Sequence, residues 1–529
     1  MRFIFFFILG FNFLVRLRIA LQNYDIPPLN SPICPDAFYY FSIARNIVTG
    51  YGITLDKTVI TNGFQPLYQF VLLPVFYFVS NPFHAINMSL ILAVVFYAGI
   101  SIMLYKLIGL YFGDLPAILA TAIWVCSPIV TKNMMNGMET SLSVFLCITT
   151  VYFYLKRIRP IDVSRIGYRE AFTFGLLIGL LYLARFDNII LVGLIFLDYL
   201  RFNLPYFKKR IYPKILLTTI IALLVAGPWI YYCIHYFGSV MPQSGRASRL
   251  IAGYSTGLSQ GQWLIANFQS SLITGLNKSD PILGTFSLVL EKVLHGPMPF
   301  VLSLLLVLIG LGIIAFFAIH TRKKSESSLA MISIAFMLVL MIVYPIFMPI
   351  NWFYDRYFAF FGVIFAIAYA YIIDLLITKY RIRKFIVSGV IGVLCILMVS
   401  AHIHYVKKSP PFGVYRQVIN WIAENTDPAR HTIGIFQAEI VPYYISNNFI
   451  NLDGKCNVNA MNAMENMRMW NYILDEGIDY IIDRHDVLET HLFRRSDNMA
   501  PASMILLEQI KANNQAWDIY KVNNSIARP

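Results

Sequence analysis

The chain has 529 residues, of which 58% are hydrophobic, 15% aromatic and only 13% charged. No soluble core could hide that much apolar side chain, so lipid must be part of the solvent; disordered, coiled-coil and disulfide-scaffold classes are excluded on the same composition. The formal charge of +14 does not point to nucleic acid, because Lys and Arg gather in short loops between apolar runs, which sets topology and favours anionic lipid headgroups.

Apolar runs of spanning length lie at 3–21, 86–108, 115–131, 139–156, 170–184, 188–200, 214–236, 298–319, 328–348, 352–377 and 384–403. Basic loops at 156–169, 201–214, 322–324 and 379–384 hold 5, 5, 3 and 4 Lys or Arg. Placing all four in the cytoplasm predicts about 11 spans, provided that the run 64–78, with Pro66 and Pro74, lies on the outer side without crossing. The first run lacks a small-residue cleavage site and is expected to stay as a helix. The outer loops 22–85 and 237–297 and the segment after 404 then share one face. From 405 to 529 the pattern becomes that of a small α/β domain. Helices are predicted at 415–426, 439–445 and 464–476, with strands at 431–437, 449–452 and 480–482. The expected architecture is therefore mostly α: a polytopic bundle over 1–404 followed by an extracytoplasmic α/β domain over 405–529. The six cysteines have no metal-ligand spacing, and one bridge, Cys34–Cys456, is left open.

With that topology, unusual polar residues at the membrane boundary fall on one side. They are Asp36, Arg45, Asn62 and Gln65 in the first outer loop, Glu139 at a helix start, and Arg185 with Asp187 between two short helices. Gln243 and Arg246 follow in the long loop, and Tyr354 and Arg356 in an aromatic run. Each also has an ordinary explanation. Asp36 could cap the next helix, Glu139 could answer a helix dipole, Arg185 and Asp187 could pair locally, and Arg356 could face headgroups. Those explanations leave the common placement unexplained, and polar groups that lose hydration need partners or a ligand.

The order Asp36…Ala44-Arg45-Asn46…Gly50-x-Gly52…Thr61-Asn62-Gly63-Phe64-x-Pro66-Leu67 resembles the first outer loop of bacterial GT-C glycosyltransferases, polytopic enzymes that use lipid-phosphate-linked sugars. Gly137-Met138-Glu139-Thr140, Ala184-Arg185-Phe186-Asp187, Gly238-x-x-x-Pro242-Gln243-Ser244 and Ile450-Asn451-Leu452-Asp453-Gly454 are similar to later motifs of the branch that contains mycobacterial terminal arabinofuranosyltransferases. The resemblance implies a GT-C fold and inverting transfer from a polyprenyl-phosphate-linked sugar to a glycan, lipid or protein acceptor during cell-envelope glycan biosynthesis. It places the protein in a bacterial cytoplasmic membrane with the active site and C-terminus outside, among membrane lipids and without nucleic acid. Two departures stand out. Relatives often carry adjacent acidic residues in the first loop, whereas Pro35 and Ala37 flank Asp36 here, and Gln243-Ser244 replaces an Asn-Thr pair.

On this reading Asp36 takes the acceptor proton, and Glu139 is a second carboxylate that positions it, binds sugar hydroxyls or shares a divalent cation (Mg²⁺ or Mn²⁺) with it. Arg185, Arg246 and Arg356 offer paired hydrogen bonds to phosphate. Arg45, Asn62, Gln65, Asp187, Gln243 and Tyr354 complete the donor and substrate contacts. A transporter or lipid flippase, and a non-catalytic scaffold, are the other classes such a chain could belong to. A transporter favours inverted repeats and polar residues near the midplane, and neither is found in the sequence.

Overall fold

The computed structural model describes residues 2–22, 24, 32–159, 166–203, 212–255, 260–321, 326–348, 353–407, 413–493, 504–512 and 515–523. The basic loop 322–324, the interiors of the two longer basic loops, and Asn351 and Trp352 lie outside these residues.

The chain opens with α1 (Arg2–Ala20), then α2 (Ala37–Val48) and α3 (Pro66–Phe78). The long α4 (Pro82–Phe112) is followed by α5 (Asp114–Cys126), α6 (Pro128–Met134) and α7 (Thr140–Phe153), which runs on into a π turn at Tyr154–Ile158. Next come α8 (Tyr168–Ala184), α9 (Ile189–Asn203) and α10 (Tyr212–Phe237). The segment expected as a long loop carries three helices, α11 (Gln243–Ser255), α12 (Gln260–Ile273) and α13 (Leu283–Val293). The bundle closes with α14 (Phe300–Thr321), α15 (Ser327–Phe347), α16 (Phe361–Thr378) and α17 (Lys384–Lys407).

Seven of these helices are long and apolar enough to cross a membrane, and α5 with α6 would make an eighth, bent by 70° at its break. The protein is thus an integral multi-pass membrane protein. The 11 spans expected from sequence also count α1, α8 and α9, of 19, 17 and 15 residues. The run 64–78 forms only the 13-residue α3.

Two predicted spans take a less regular form than a single straight helix. The run 115–131 is not one rod, because Ser127-Pro128 interrupts it and Pro128 has no N–H to continue the ladder. The Val125 carbonyl at that break accepts from Arg16 Nη2 at 2.6 Å and from the Tyr97 hydroxyl at 2.8 Å. Arg16 is buried, also donates to Asn12 Oδ1 and Thr131 Oγ1 at 2.6 Å, and lies over the Tyr97 ring. The run 352–377 becomes helical only at Phe361; before it, a separate 3₁₀ turn (Asp355–Phe358) holds Arg356.

Beyond α17, α18 (Gly413–Asn425) leads to β1 (Thr432–Ile435), α19 (Ile440–Tyr444) and β2 (Asn448–Asn451). The predicted helix 464–476 is instead two, α20 (Val458–Glu465) and α21 (Met469–Asp475), because Met467 takes a φ of 57° between them. Then come β3 (Tyr480–Arg484) and a hairpin, absent from the sequence reading, of β4 (Met504–Ala512) and β5 (Gln515–Val522). The sheet order is β2-β1-β3-β5-β4. The first three strands are parallel, and β5 is antiparallel to both β3 and β4. Cys34 and Cys456 are free thiols, not a bridge.

Buried polar contacts seat this sheet on the segment between α2 and α3. Asp56 accepts from the Asn451 backbone and from Asn457 Nδ2, both at 3.0 Å. Gly63 comes so close that a Cβ there would stand 2.2 Å from the Lys455 carbonyl oxygen. The carboxyl ends of β1 and β2 run side by side, with Ile435 opposite Asn451. In parallel sheets that end is where ligand-binding loops gather.

Candidate active site

Two clusters of charge meet at a recess lined by Thr140, Ser143, Arg185, Asp187, Arg356 and Tyr357. The first is built at helix ends. Arg185, in extended backbone just after α8, forks onto Asp187 through Nε at 3.1 Å and Nη2 at 2.9 Å. It also donates from Nη1 to Glu139 Oε1 at 2.8 Å and from Nη2 to the Tyr344 hydroxyl at 3.0 Å. Tyr344 in turn bonds Asp187, and the Tyr40 hydroxyl donates to Glu139 Oε2 at 2.8 Å. Gln65 belongs here, since its Oε1 accepts from the Phe186 N–H at 3.2 Å.

The second cluster joins the segment between α1 and α2 to the C-terminal sheet. Asp36 stands at the N-cap position of α2, yet it has αR backbone and makes no side-chain cap bond. Capping therefore does not explain it. Its Oδ2 is paired with Arg356 Nη2, and its Oδ1 lies 3.7 Å from Lys455 Nζ. Arg356 also donates to the Cys34 sulfur at 2.9 Å, and its guanidinium lies 4.2 Å from the Tyr354 ring centroid and 5.3 Å from that of Tyr357. Tyr357 is 5.8 Å from Arg185 as well, so one ring links the two arginines.

Lys455 is the residue the sequence reading missed. It follows β2 in Asp453-Gly454-Lys455, where Gly454 has φ 74° and no room for a Cβ beside Met461. Its ammonium is shared by Asp36, by Asp453 Oδ2 at 3.6 Å and by Glu439 Oε1 at 3.5 Å. Glu439, from the loop after β1, was missed too. The available signal was position: both residues follow predicted strands of a parallel sheet.

Burial pushes the Asp36 carboxyl up, but Lys455 and Arg356 outweigh it and hold it below its usual range. Burial pulls the Lys455 ammonium down, and the carboxylates of Asp36, Asp453 and Glu439 more than restore it. At Glu439 burial dominates over Lys455, and Asp36 and Asp453 add repulsion, so this carboxyl is raised to about 7.

Three predicted site residues serve as ties in the structure. Arg45 donates to the Tyr443 carbonyl at 3.1 Å and lies over the Tyr443 ring. Asn62 Oδ1 accepts from the Gln243 N–H at 3.0 Å, and Gln243 Nε2 donates to the Gly454 carbonyl at 2.8 Å, which braces the turn carrying Lys455. Arg246 is not brought to the recess. It is 60% exposed and forks onto Glu465 at 2.9 and 2.6 Å.

A divalent ion shared by Asp36 and Glu139 does not fit these side chains. Each carboxylate is already engaged by a different arginine, and the cation between Asp36, Glu439 and Asp453 is Lys455 itself. Among the described residues, no group of three or more His, Cys, Asp or Glu could hold a metal.

No family model matches the chain, and no curated protein matches it by sequence. Solved structures do match. ArnT from Cupriavidus metallidurans bound to undecaprenyl phosphate aligns with a TM-score of 0.58 at 12% identity, over 98% of this chain and 99% of that one. The archaeal oligosaccharyltransferase AglB from Archaeoglobus fulgidus, in complex with an inhibitory peptide and a dolichol-phosphate, aligns with a TM-score of 0.58 at 12% identity. That match covers 100% of this chain and 75% of the other. Both neighbours are GT-C glycosyltransferases, and the fold of this chain is of GT-C type.

Proposed function

We propose that the protein is an integral-membrane glycosyltransferase that moves a sugar from a polyprenyl-phosphate donor to a hydroxyl of a glycan, lipid or protein acceptor. The observation that carries this reading is the meeting of Arg185 and Arg356 at one recess, with the Asp36 carboxylate paired to the second. Guanidinium groups match a phosphodiester through paired hydrogen bonds, which strengthen where water is scarce. The polyprenyl phosphates in the two solved neighbours support that donor class.

In this mechanism the acceptor hydroxyl attacks the anomeric carbon opposite the phosphate. The new C–O bond forms as the bond to phosphate oxygen breaks, its electron pair leaves with the lipid phosphate, and the acceptor proton passes to Asp36. The phosphate needs no proton, and Arg356 stabilises the charge it gains, while Arg185 braces the wall of the recess beside it. One displacement inverts the centre. Residues 1–404 form the transferase body, and 405–529 deliver Lys455 and Glu439 from a separate α/β domain. The site faces outward from a bacterial cytoplasmic membrane.

The test is transfer by membranes containing the protein, supplied with a panel of radiolabelled polyprenyl-phosphate sugars, beside Asp36→Asn. The wild type should turn over at least one donor. The variant should lose turnover by on the order of 100-fold while still binding that donor, since Asn cannot take the proton. An active Asp36→Asn protein would overturn the base assignment, and silence of the wild type with every donor would overturn the donor class.

A further inference from the structure

A general base should be free to accept a proton, yet Asp36 is held by two cations. One of them, Arg356, also faces the recess where the phosphate is placed above. The other, Lys455, is divided among three carboxylates at similar distances: 3.7 Å to Asp36, 3.5 Å to Glu439 and 3.6 Å to Asp453. How much of its charge Asp36 feels therefore depends on the state of the other two.

We propose that Glu439 is a positioning residue that shares Lys455 with Asp36, sets how firmly the ammonium holds the base, and so couples turnover to pH. The inference rests on the reading of Asp36 as the base. When Glu439 is ionised it draws Lys455 toward itself and adds a like charge near Asp36. Both effects raise the proton affinity of Asp36. When Glu439 is protonated, the ammonium is left to Asp36 and Asp453, and Asp36 is a weaker base.

The groups facing Glu439 agree with this. From the loop after β2 come Lys455, the only cation paired with it among the described residues, and Asp453. From the segment between α1 and α2, and from α2 itself, come Asp36, Cys34 and Tyr39, whose hydroxyl donates to Asp453 Oδ2 at 2.7 Å. From α18 comes Tyr415, and from the end of β3 comes Asp483, itself held by the N–H groups of Phe436 and Gln437. Burial with these neighbours puts the Glu439 carboxyl at about 7, within the range a cell envelope experiences. Thus Asp36 and Glu439, two carboxyls around one lysine, are pushed in opposite directions.

The experiment has two readouts on the full-length protein in lipid nanodiscs. The first needs no substrate: pH-difference infrared spectroscopy should show a protonated-carboxyl band that titrates near neutral pH and loses a component in Glu439→Gln. A band unchanged by that substitution overturns the proposal. The second is transfer from whichever radiolabelled polyprenyl-phosphate sugar the wild type accepts. Turnover should rise several-fold through neutral pH, as one pK unit on the base gives with a Brønsted slope below one. Glu439→Gln should stay at the low-pH level with the donor KM unchanged. A pH limb that persists in Glu439→Gln overturns the proposal even if transfer itself is robust. If no donor is used, the functional reading fails while the infrared result still judges the shared lysine. Should Glu439→Gln fail to fold, Glu439→Asp and Lys455→Gln carry the test: each should displace the neutral titration, Lys455→Gln toward higher pH. An undisplaced midpoint in both overturns it.

Discussion

Arg185 and Arg356 face one recess and share Tyr357, yet they are held in opposite ways. Arg185 is saturated: two carboxylates and a tyrosine hydroxyl take its three nitrogens, and those acceptors come from two helix junctions and from within α15. Arg356 bonds one carboxylate and a thiol, and otherwise rests on aromatic faces. A guanidinium neutralised by fixed carboxylates works as a strut. One whose carboxylate is shared with a lysine can exchange that partner for a ligand. The contrast shows that residue type and cavity lining do not by themselves assign a phosphate contact; the company each arginine keeps decides how it can be used.

The comparison can be broken most directly at Arg185. Its replacement by Ala would leave Glu139 and Asp187 without their cation in a buried setting, a change that costs about 3–5 kcal/mol. Arg185→Ala should therefore fall sharply in yield and thermal stability in detergent. A melting temperature like that of the wild type would end the strut reading.

Arg356→Ala should behave differently. Asp36 keeps Lys455, so the protein should fold, while donor binding loses charge-assisted hydrogen bonds worth about 2 kcal/mol, or roughly 30-fold in donor KM. Arg356→Lys should restore only part of this, because an ammonium lacks the planar fork. Normal donor kinetics in the alanine variant would remove Arg356 from the donor site.

The smallest effect is expected at Arg246, whose exposed pair with Glu465 belongs to a class worth little in water. Arg246→Ala should change stability by less than about 0.5 kcal/mol and leave transfer intact. A tenfold loss of turnover would bring the long loop back into the site.

Much of this architecture was legible because it rests on local pattern. Apolar runs marked the helices, and alternating elements marked the three parallel strands. The β4–β5 hairpin escaped because β4 is an edge strand with Ile505, Leu506 and Leu507 all half-exposed, so no clean inside–outside alternation announces it. At the site, the pairing of Arg185 with Asp187 could be read from two-residue spacing. Lys455 and Glu439 could not, since they reach Asp36 only once β1 and β2 have paired and Gly63 has let the first loop settle on the Lys455 backbone. Arg246 erred the other way: its neighbours in sequence suggested the site, but its side chain found Glu465 on α20.

The arginine inside α1 has a consequence for how the chain is made. Arg16 is satisfied by Val125 and Thr131, more than a hundred residues downstream, and by the ring of Tyr97. When α1 first leaves the ribosome none of these exists, and only Asn12, one turn earlier on the same helix, accepts from it. Four residues from the end of α1, such an arginine still costs free energy to insert, though less than the about 2.5–3.5 kcal/mol of one at a helix centre. The first helix therefore enters lipid at a disadvantage that lasts until α4 and the broken α5–α6 pair arrive beside it. Synthesis halted before Tyr97 would leave Arg16 in the membrane with Asn12 as its only partner among these, a mark by which a quality-control protease could tell an unfinished chain from a finished one.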